Sequence, residues 1–225
     1  MSRQLVLDLP VRPALGRENF LVAPSNALAV RAVEDAAQWP GGKLALIGAA
    51  GAGKTHLAHV WAAETGATII AARNLAGADI DRLARQGHVA VEDAEALCGD
   101  ATAERALFHL HNHLLGMDGR LLITARTPPA RWPIALPDLA SRMQATQTAT
   151  IEPPDDTLLA AVLVKLFADR QIAVQPELIA YLLRRMERSL AAAARLVAAL
   201  DARALAEQRP VSRSLAAQVL DSPDP

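Results

Sequence analysis

The sequence predicts an α/β fold, a parallel five-stranded sheet with flanking helices, followed by a small all-helical unit. Three observations lead there. Short apolar runs at 43–47, 67–71, 88–91, 120–124 and 146–151 alternate with segments of helical period, the pattern of parallel strands joined by crossover helices. A glycine-rich turn joins the first of these runs to the helix after it. Beyond Pro153-Pro154 the strand pattern stops and only helical periods remain.

The elements follow in order. Residues 4–9 alternate, with Leu5, Leu7 and Leu9 on one side and Gln4, Val6 and Asp8 on the other, and Pro10 and Pro13 separate them from the body. Such a peptide is either an edge strand of the fold or an exposed motif that docks on a partner as an extended strand. An extended piece from Asn19 ends in Ser25-Asn26, read as the cap of a helix over 27–38, which Pro40-Gly41-Gly42 stops. After the glycine-rich turn, a helix closes at Gly66 and a strand spans 67–71. A short helix at 79–86 is closed by Gly87. A buried strand over 88–91 delivers Glu92-Asp93, and a helix over 102–116 places Ala103, Leu107, Leu110 and Leu114 on one face. Strands at 120–124 and, more weakly, 146–151 complete the sheet. Helices at 156–170, 177–186, 190–207 and 213–220 follow, with Gln175-Pro176 and Ser189 as starts. The implied organisation is a tail over 1–14, a core over 15–152 and a helical lid over 153–225.

Composition narrows the function classes. The chain has 225 residues, enough for one ordinary domain and a small second one. Hydrophobic residues make up 52% but aromatics only 3%, so alanine-rich helix packing is expected. Net charge is −1 and no long run of like charge occurs, which argues against strong direct binding to a DNA backbone. Cys98 is the only cysteine, which excludes an internal disulfide and a Cys-rich zinc site and suits a reducing cytoplasm. No stretch of eighteen apolar residues and no basic-then-apolar leader is present, so a cytoplasmic protein without a membrane partner is expected.

The turn Gly48-Ala49-Ala50-Gly51-Ala52-Gly53-Lys54-Thr55 has the P-loop form G-x4-G-K-[ST] between strand and helix. Glycines bring successive backbone N–H groups close to phosphates at a helix N-terminus. Lys54 is expected to reach the β- and γ-phosphates and the Thr55 hydroxyl to ligate magnesium. Val89-Ala90-Val91-Glu92-Asp93 has the complementary Walker B form, with one carboxylate for the metal and the other to polarise an attacking water. His109 and His113 stand four apart on one helix, but no third ligand accompanies them. Cys98 has no activating neighbours in sequence, and Arg184-Arg185 with Arg188 reads as a solvated basic corner.

Over nearly its whole length the sequence resembles the family of the AAA+ replication initiator DnaA and its shorter Hda-type homologues. Asn19-Phe20-Leu21-Val22 through Ser25-Asn26 resembles the adenine-pocket segment, which implies Val22 and Asn26 at the base. Gly51, Ala52, Gly53, Lys54 and Thr55 with the trailing His56-Leu57 resemble the family's P-loop. Phe108-His109-Leu110-His111-Asn112 is similar to its F-H-x-F-N helix, and Leu122-Ile123-Thr124 with Pro128-Pro129 to its sensor I strand and loop. Leu136-Pro137-Asp138-Leu139-Ala140-Ser141-Arg142 resembles the box VII helix, and Ile151-Glu152-Pro153-Pro154-Asp155 the hinge into the lid. The resemblance implies ADP or ATP with Mg2+, the metal held by Thr55 and Glu92. It also implies Arg142 as an arginine finger acting in trans on the nucleotide of a neighbour.

Gln4, Leu5, Leu7 and Leu9 match the Q-L-x-L-x-L peptide by which Hda-type members bind the sliding clamp, the DNA polymerase III beta subunit. The chain stops about where DnaA continues into its DNA-binding domain, so contact with DNA is expected to be indirect. Three departures stand out. Glu92 replaces an Asp. Thr124-Ala125-Arg126-Thr127-Pro128-Pro129 replaces T-S-D-R-P-P, leaving Thr124 or Arg126 as the sensor I group. Ala191 occupies the sensor II arginine position, with Arg188 and Arg195 on the same stripe. This loss favours a diphosphate-bound or structurally bound nucleotide. The resulting expectation is a regulator that inactivates the DnaA initiator by stimulating its ATP hydrolysis while tethered to the clamp. An independent P-loop ATPase or kinase, or a helicase-loader-like protein, is the alternative, and self-association through the AAA+ face or the tail is compatible with each.

Overall fold

A computed structural model of the chain describes residues 16–17 and 20–221. The peptide at 4–9, with Gln4, Leu5, Leu7 and Leu9, lies outside the described residues. Strands β1 (Lys43–Gly48), β2 (Thr68–Ala71), β3 (His88–Glu92), β4 (Arg120–Ala125) and β5 (Gln147–Ile151) form one sheet in the order β2-β3-β4-β1-β5. Every pairing is parallel, for example Leu46 opposite Thr124 on one side and Ala149 on the other. Helices α1 (Ala27–Glu34), α2 (Lys54–Thr65), α3 (Ile80–Ala84), α4 (Ala101–Gly116) and α5 (Pro137–Gln144) accompany the strands. Then come α6 (Asp156–Ala168), α7 (Pro176–Leu183), α8 (Leu190–Ala206) and α9 (Arg213–Asp221). The α/β fold expected from the alternation of periods is present, including the weak fifth strand, which pairs with β1.

The central strands β3, β4 and β1 are buried on both faces and read as nearly continuous apolar runs, whereas the edge strands β2 and β5 are more exposed. Alternate residues nonetheless go to different sides. Ala45, Ile47, Val89, Val91, Leu121 and Ile123 pack with Leu107, Leu110 and Leu114 of α4. Leu44, Leu46, Ala90 and Leu122 pack with Leu57 and Trp61 of α2 and with α1. A third cluster, built from Leu159, Leu163, Phe167, Leu182, Val197 and Leu200, belongs to the four C-terminal helices.

Local chemistry sets the element ends. Gly66 closes α2 at φ 73°, and the side chains of Asp79, Asp100, Asp155 and Ser189 each accept a backbone N–H at the start of α3, α4, α6 and α8. Two expectations change. The helix expected over 27–38 ends at Glu34 and continues as a 3-10 turn, Ala36–Gln38. The break lets Trp39 fold back, donating its indole N–H to the Ala32 carbonyl at 2.7 Å and stacking 5.3 Å from Trp61. Asn26 stands at the N-cap of α1 but its side chain does not cap it. It accepts from the Ala23 N–H at 2.8 Å and donates to the Leu21 carbonyl at 2.9 Å, closing the preceding loop on itself.

In a parallel sheet all carboxyl ends share one edge. Here that edge carries the glycine-rich turn after β1, Glu92-Asp93 after β3 and Thr124 to Arg126 at the end of β4. β4 lies between the other two strands, so the residues after it stand between the glycine-rich turn and the acidic pair. Ligands of open α/β sheets bind outside such an edge.

Candidate functional site

The turn 48–53 wraps the N-terminus of α2, whose N-cap Gly53 has φ 106°. A side chain is strained at that angle, so glycine there follows from the backbone path. Lys54 is 7% exposed. Its ammonium donates to the carbonyls of Gly48 at 2.8 Å and Ala49 at 2.9 Å, across the mouth of the turn. Burial pushes the Lys54 pKa down; Asp93 opposes that, Arg126 adds to it, and Glu95 opposes it.

A cleft opens above the turn. It is lined by Gly51, Gly53, Lys54, Thr55 and His56 of the turn and the start of α2, by Asp93 and Arg126 that follow β3 and β4, and by Leu190 and Ala191 at the start of α8. Thr55 is exposed there. His56 meets the buried Phe20 edge-on at 5.0 Å. Val22, in the expected adenine segment, is 50% exposed, and Asn26 holds that segment's loop through the two bonds described above.

The start of α8 closes on the glycine-rich turn. The Leu190 N–H donates to the Gly51 carbonyl at 3.0 Å. A Cβ on Gly51, at φ 70°, would stand 2.8 Å from the Ala191 Cβ. Ala191 therefore lines the cleft, at the position where the resembled family carries an arginine. The two candidates to replace that arginine point elsewhere: Arg188 is paired with Asp156 at 2.6 Å and Arg195 with Glu187 at 3.4 Å, and neither lines the cleft.

The acidic pair separates. Asp93 has φ 51° and lines the cleft, with its N–H donating to the Thr124 hydroxyl at 3.1 Å. Glu92 ends β3, and its buried Oε1 has no hydrogen-bond partner among the described residues. An orphaned carboxylate oxygen at the carboxyl edge of the sheet suits a hard cation, and Asp93 rather than Glu92 lines the cleft itself. No cluster of three or more His, Cys, Asp or Glu among the described residues forms a cation cage. Magnesium would accordingly be held by the Thr55 hydroxyl, one or two of these carboxylates and the nucleotide's own oxygens, and there it would neutralise phosphate charge. The sensor I alternatives also separate, because the Thr124 hydroxyl is occupied by the Asp93 N–H while Arg126 faces the cleft.

Arg142, in the last turn of α5, is not among the residues lining this cleft. Its Nε donates to Asn112 Oδ1 at 3.1 Å, its Nη1 to the Asp138 carbonyl at 3.1 Å, and its guanidinium lies 4.8 Å over the Phe108 ring. Behind it, the buried Lys43 donates to the Arg142 carbonyl at 2.8 Å and meets His111 Nε2 at 3.2 Å. His111 Nδ1 lies 3.2 Å from the same Asn112 oxygen. Neutral His111 with its proton on Nδ1 satisfies every partner in this row. Burial lowers the His111 pKa, the Asn112 bond opposes this, and Lys43 and Arg142 reinforce it.

Motif reading did not single out Lys43 or His111 for this support, nor Glu104. Glu104 is 1% exposed and accepts from the N–H groups of Gly99, Ala135 and Leu136, tying α4 to the loop that starts α5. Burial pushes its carboxyl pKa up, but these three donors outweigh it and the net direction is down. Elsewhere, His113 pairs with Asp81 at 2.8 Å, and burial raises the pKa of the Cys98 thiol. No helix among the described residues is long and apolar enough to cross a membrane.

No protein-family model matches the chain. It is 25% identical over 249 aligned positions to the chromosomal replication initiator protein DnaA of Thermomicrobium roseum, covering 99% of this chain and 54% of that protein. The chain thus spans about half the length of the curated relative it matches. Domain III of the Thermotoga maritima replication initiation protein DnaA superposes with a TM-score of 0.78 at 20% identity, over 94% of this chain and 98% of that one. AMPPCP-bound DnaA from Aquifex aeolicus superposes with a TM-score of 0.71 at 19% identity, over 87% of this chain and 67% of that one. The chain has a DnaA-like AAA+ fold with a helical C-terminal part.

Proposed function

We propose that the chain is a nucleotide-bound regulator of replication initiation that acts in trans on the DnaA initiator. Gly48, Gly51, Gly53, Lys54 and Thr55 hold ADP or ATP with Mg2+, and the bound nucleotide ties the core to the start of α8. Gln4 to Leu9 tether the protein to the sliding clamp. Arg142 enters the nucleotide site of a neighbouring initiator and stabilises the charge on its transferring phosphoryl oxygens, an effect worth about 10³–10⁵ in rate in related systems. The observation that supports this most is the place of Arg142. It lies outside its own cleft, which supports a role on the nucleotide of another molecule. Its Nη2 makes no hydrogen bond among the described residues, which leaves one edge of the guanidinium for that phosphate. The AMPPCP-bound DnaA structure supports the nucleotide part of the reading.

The test is initiator ATP hydrolysis reconstituted with clamp and DNA. Arg142→Ala is expected to reduce the stimulation about 100-fold or more, and Arg142→Lys to recover little of it because lysine lacks the planar fork. Stimulation by Arg142→Ala equal to wild type would remove the trans mechanism. A second reading, turnover by the chain itself, draws on Asp93 standing in the cleft with Lys54 and Thr55. Fast phosphate release by the isolated protein would favour it.

A further inference from the structure

We infer that His109 and His113, on the exposed face of α4, bind a divalent transition ion such as Zn2+ or Cu2+ through one ring nitrogen each, with Asp81 of α3 orienting the His113 ring. The inference stands apart from the nucleotide cleft, which none of these three residues lines. In the sequence the two histidines stand alone; it is the packing of α3 on α4 that brings Asp81 to them. Leu110 and Leu114 are fully buried in the core. The residues just before them, one helical turn apart, therefore emerge together on the other side of α4, and both are exposed.

Asp81 Oδ1 lies 2.8 Å from His113 Nδ1. An ionised carboxylate only accepts, so the His113 proton sits on Nδ1 and the lone pair is left on Nε2. Nε2 makes no hydrogen bond among the described residues. Histidine ligands of metals share this arrangement: the far N–H donates to a carboxylate, which fixes the tautomer and raises the basicity of the other nitrogen. As an ion pair the contact is worth little, because the His113 and Asp81 side chains are 52% and 63% exposed. Its consequence is the orientation of the ring. Asp81 is itself well placed, since Asp79 caps α3 by accepting the Arg82 N–H at 2.9 Å, and Ile80, Leu83 and Ala84 pack into the cluster that holds Leu110 and Leu114. His109 makes no hydrogen bond or ion pair among the described residues, and its ring stands edge-on to Phe108 at 5.8 Å.

Distance and ligand chemistry select the ion. An ion bonded to imidazole at about 2.0–2.1 Å stands roughly 3 Å from the ring centre, so two rings on one ion have centres at most roughly 6.5 Å apart. The centres of His109 and His113 are 6.3 Å apart, inside that limit, and the exposed His109 ring has room to turn towards the ion. Imidazole nitrogen suits zinc, copper and nickel, whereas magnesium takes oxygen ligands. No third histidine, cysteine or carboxylate among the described residues converges with the pair. Water fills the remaining positions, and the site is open.

The experiment is isothermal titration of the tag-free full chain with ZnCl2 and with CuCl2, in excess MgCl2, for wild type, His109→Gln, His113→Gln and Asp81→Asn. Wild type is expected to bind one ion per chain, Cu2+ more tightly than Zn2+, and the paramagnetic resonance spectrum of the Cu2+ form should show coupling to two nitrogens. Each histidine variant should lose this binding at concentrations that saturate wild type, with coupling to one nitrogen at most. Asp81→Asn should weaken Zn2+ about 10-fold while keeping both nitrogens. All three positions are exposed, so equal thermal midpoints without added metal serve as the control for folding. Absence of Zn2+ and Cu2+ binding by wild type, or binding unchanged in both histidine variants, would overturn the site. Binding unchanged in Asp81→Asn would overturn the orienting role.

Discussion

Arg142 is held from three directions, and the row behind it is sensitive to one proton. His111 accepts from Lys43 only while Nε2 is unprotonated. Protonation removes that acceptor and places a third cation between Lys43 and Arg142. The sign follows from the lowered pKa. The unfolded chain binds the proton more readily, so the stabilising contribution is complete above the ordinary histidine value of about 6.5 and is lost as pH falls through the folded-state value. Thermal unfolding measured from pH 7.5 down to 5 should therefore fall more steeply for wild type than for His111→Gln, which keeps a hydrogen-bonding side chain without the titration. Equal slopes would place the pH dependence elsewhere. The place of Lys54 and Thr55 at the cleft was legible from the spacing of the glycine-rich turn, and Arg142 was singled out by the family resemblance alone. Lys43 and Glu104 were not. A lysine opening a strand and a glutamate in a helix read as solvated ends, and only the packing of α5 against α4 buries them.

At the scale of elements, the contact that decides the site is the start of α8 on the phosphate turn. Ser189 caps the helix through the Ala192 N–H at 3.1 Å, Leu190 bonds the Gly51 carbonyl, and Ala191 fills the space beside Gly51. Ser189→Ala should cost about 1 kcal/mol, the loss of one cap. Gly51→Ala meets both a positive φ and a 2.8 Å contact, so urea unfolding should show a larger cost of about 1–3 kcal/mol. A Gly51→Ala cost below that of Ser189→Ala would mean that the lid is not seated on the turn. Helix existence was legible here from period and caps, Ser189 included. The destination of α8 was not, because the residues that meet across this contact are far apart in sequence and meet through a backbone hydrogen bond and small side chains.

For the whole molecule, the sheet is closed on both faces while β2 and β5 remain its edges. An alternating peptide such as 4–9 has two destinations, an edge of this sheet or a partner's groove. Removing residues 1–10 separates them. Under the proposed function, clamp binding measured by surface plasmon resonance disappears and the thermal midpoint stays where it was. A lowered midpoint with clamp binding intact would assign the peptide to the sheet. The order of the strands is a property of this scale as well. Alternating periods announce parallel strands joined by helices, but the insertion of β4 between β1 and β3 follows from how the crossovers pack, and it is this insertion that brings Arg126 to the cleft.

The sequence by itself determined the α/β class, the helical part after Pro153-Pro154, the glycine-rich turn and the acidic strand end. Each of these is written in neighbouring residues, through period, glycine placement and caps, so local physics suffices to read it. Only the tertiary structure decided which carboxylate faces the cleft, that Asn26 closes its own loop, that Arg188 and Arg195 pair on the lid, and that Thr124 braces Asp93 while Arg126 lines the cleft. These outcomes depend on which side chains reach one another across long sequence separations, where burial and the competition for hydrogen-bond partners select one arrangement among several that the spacing allows.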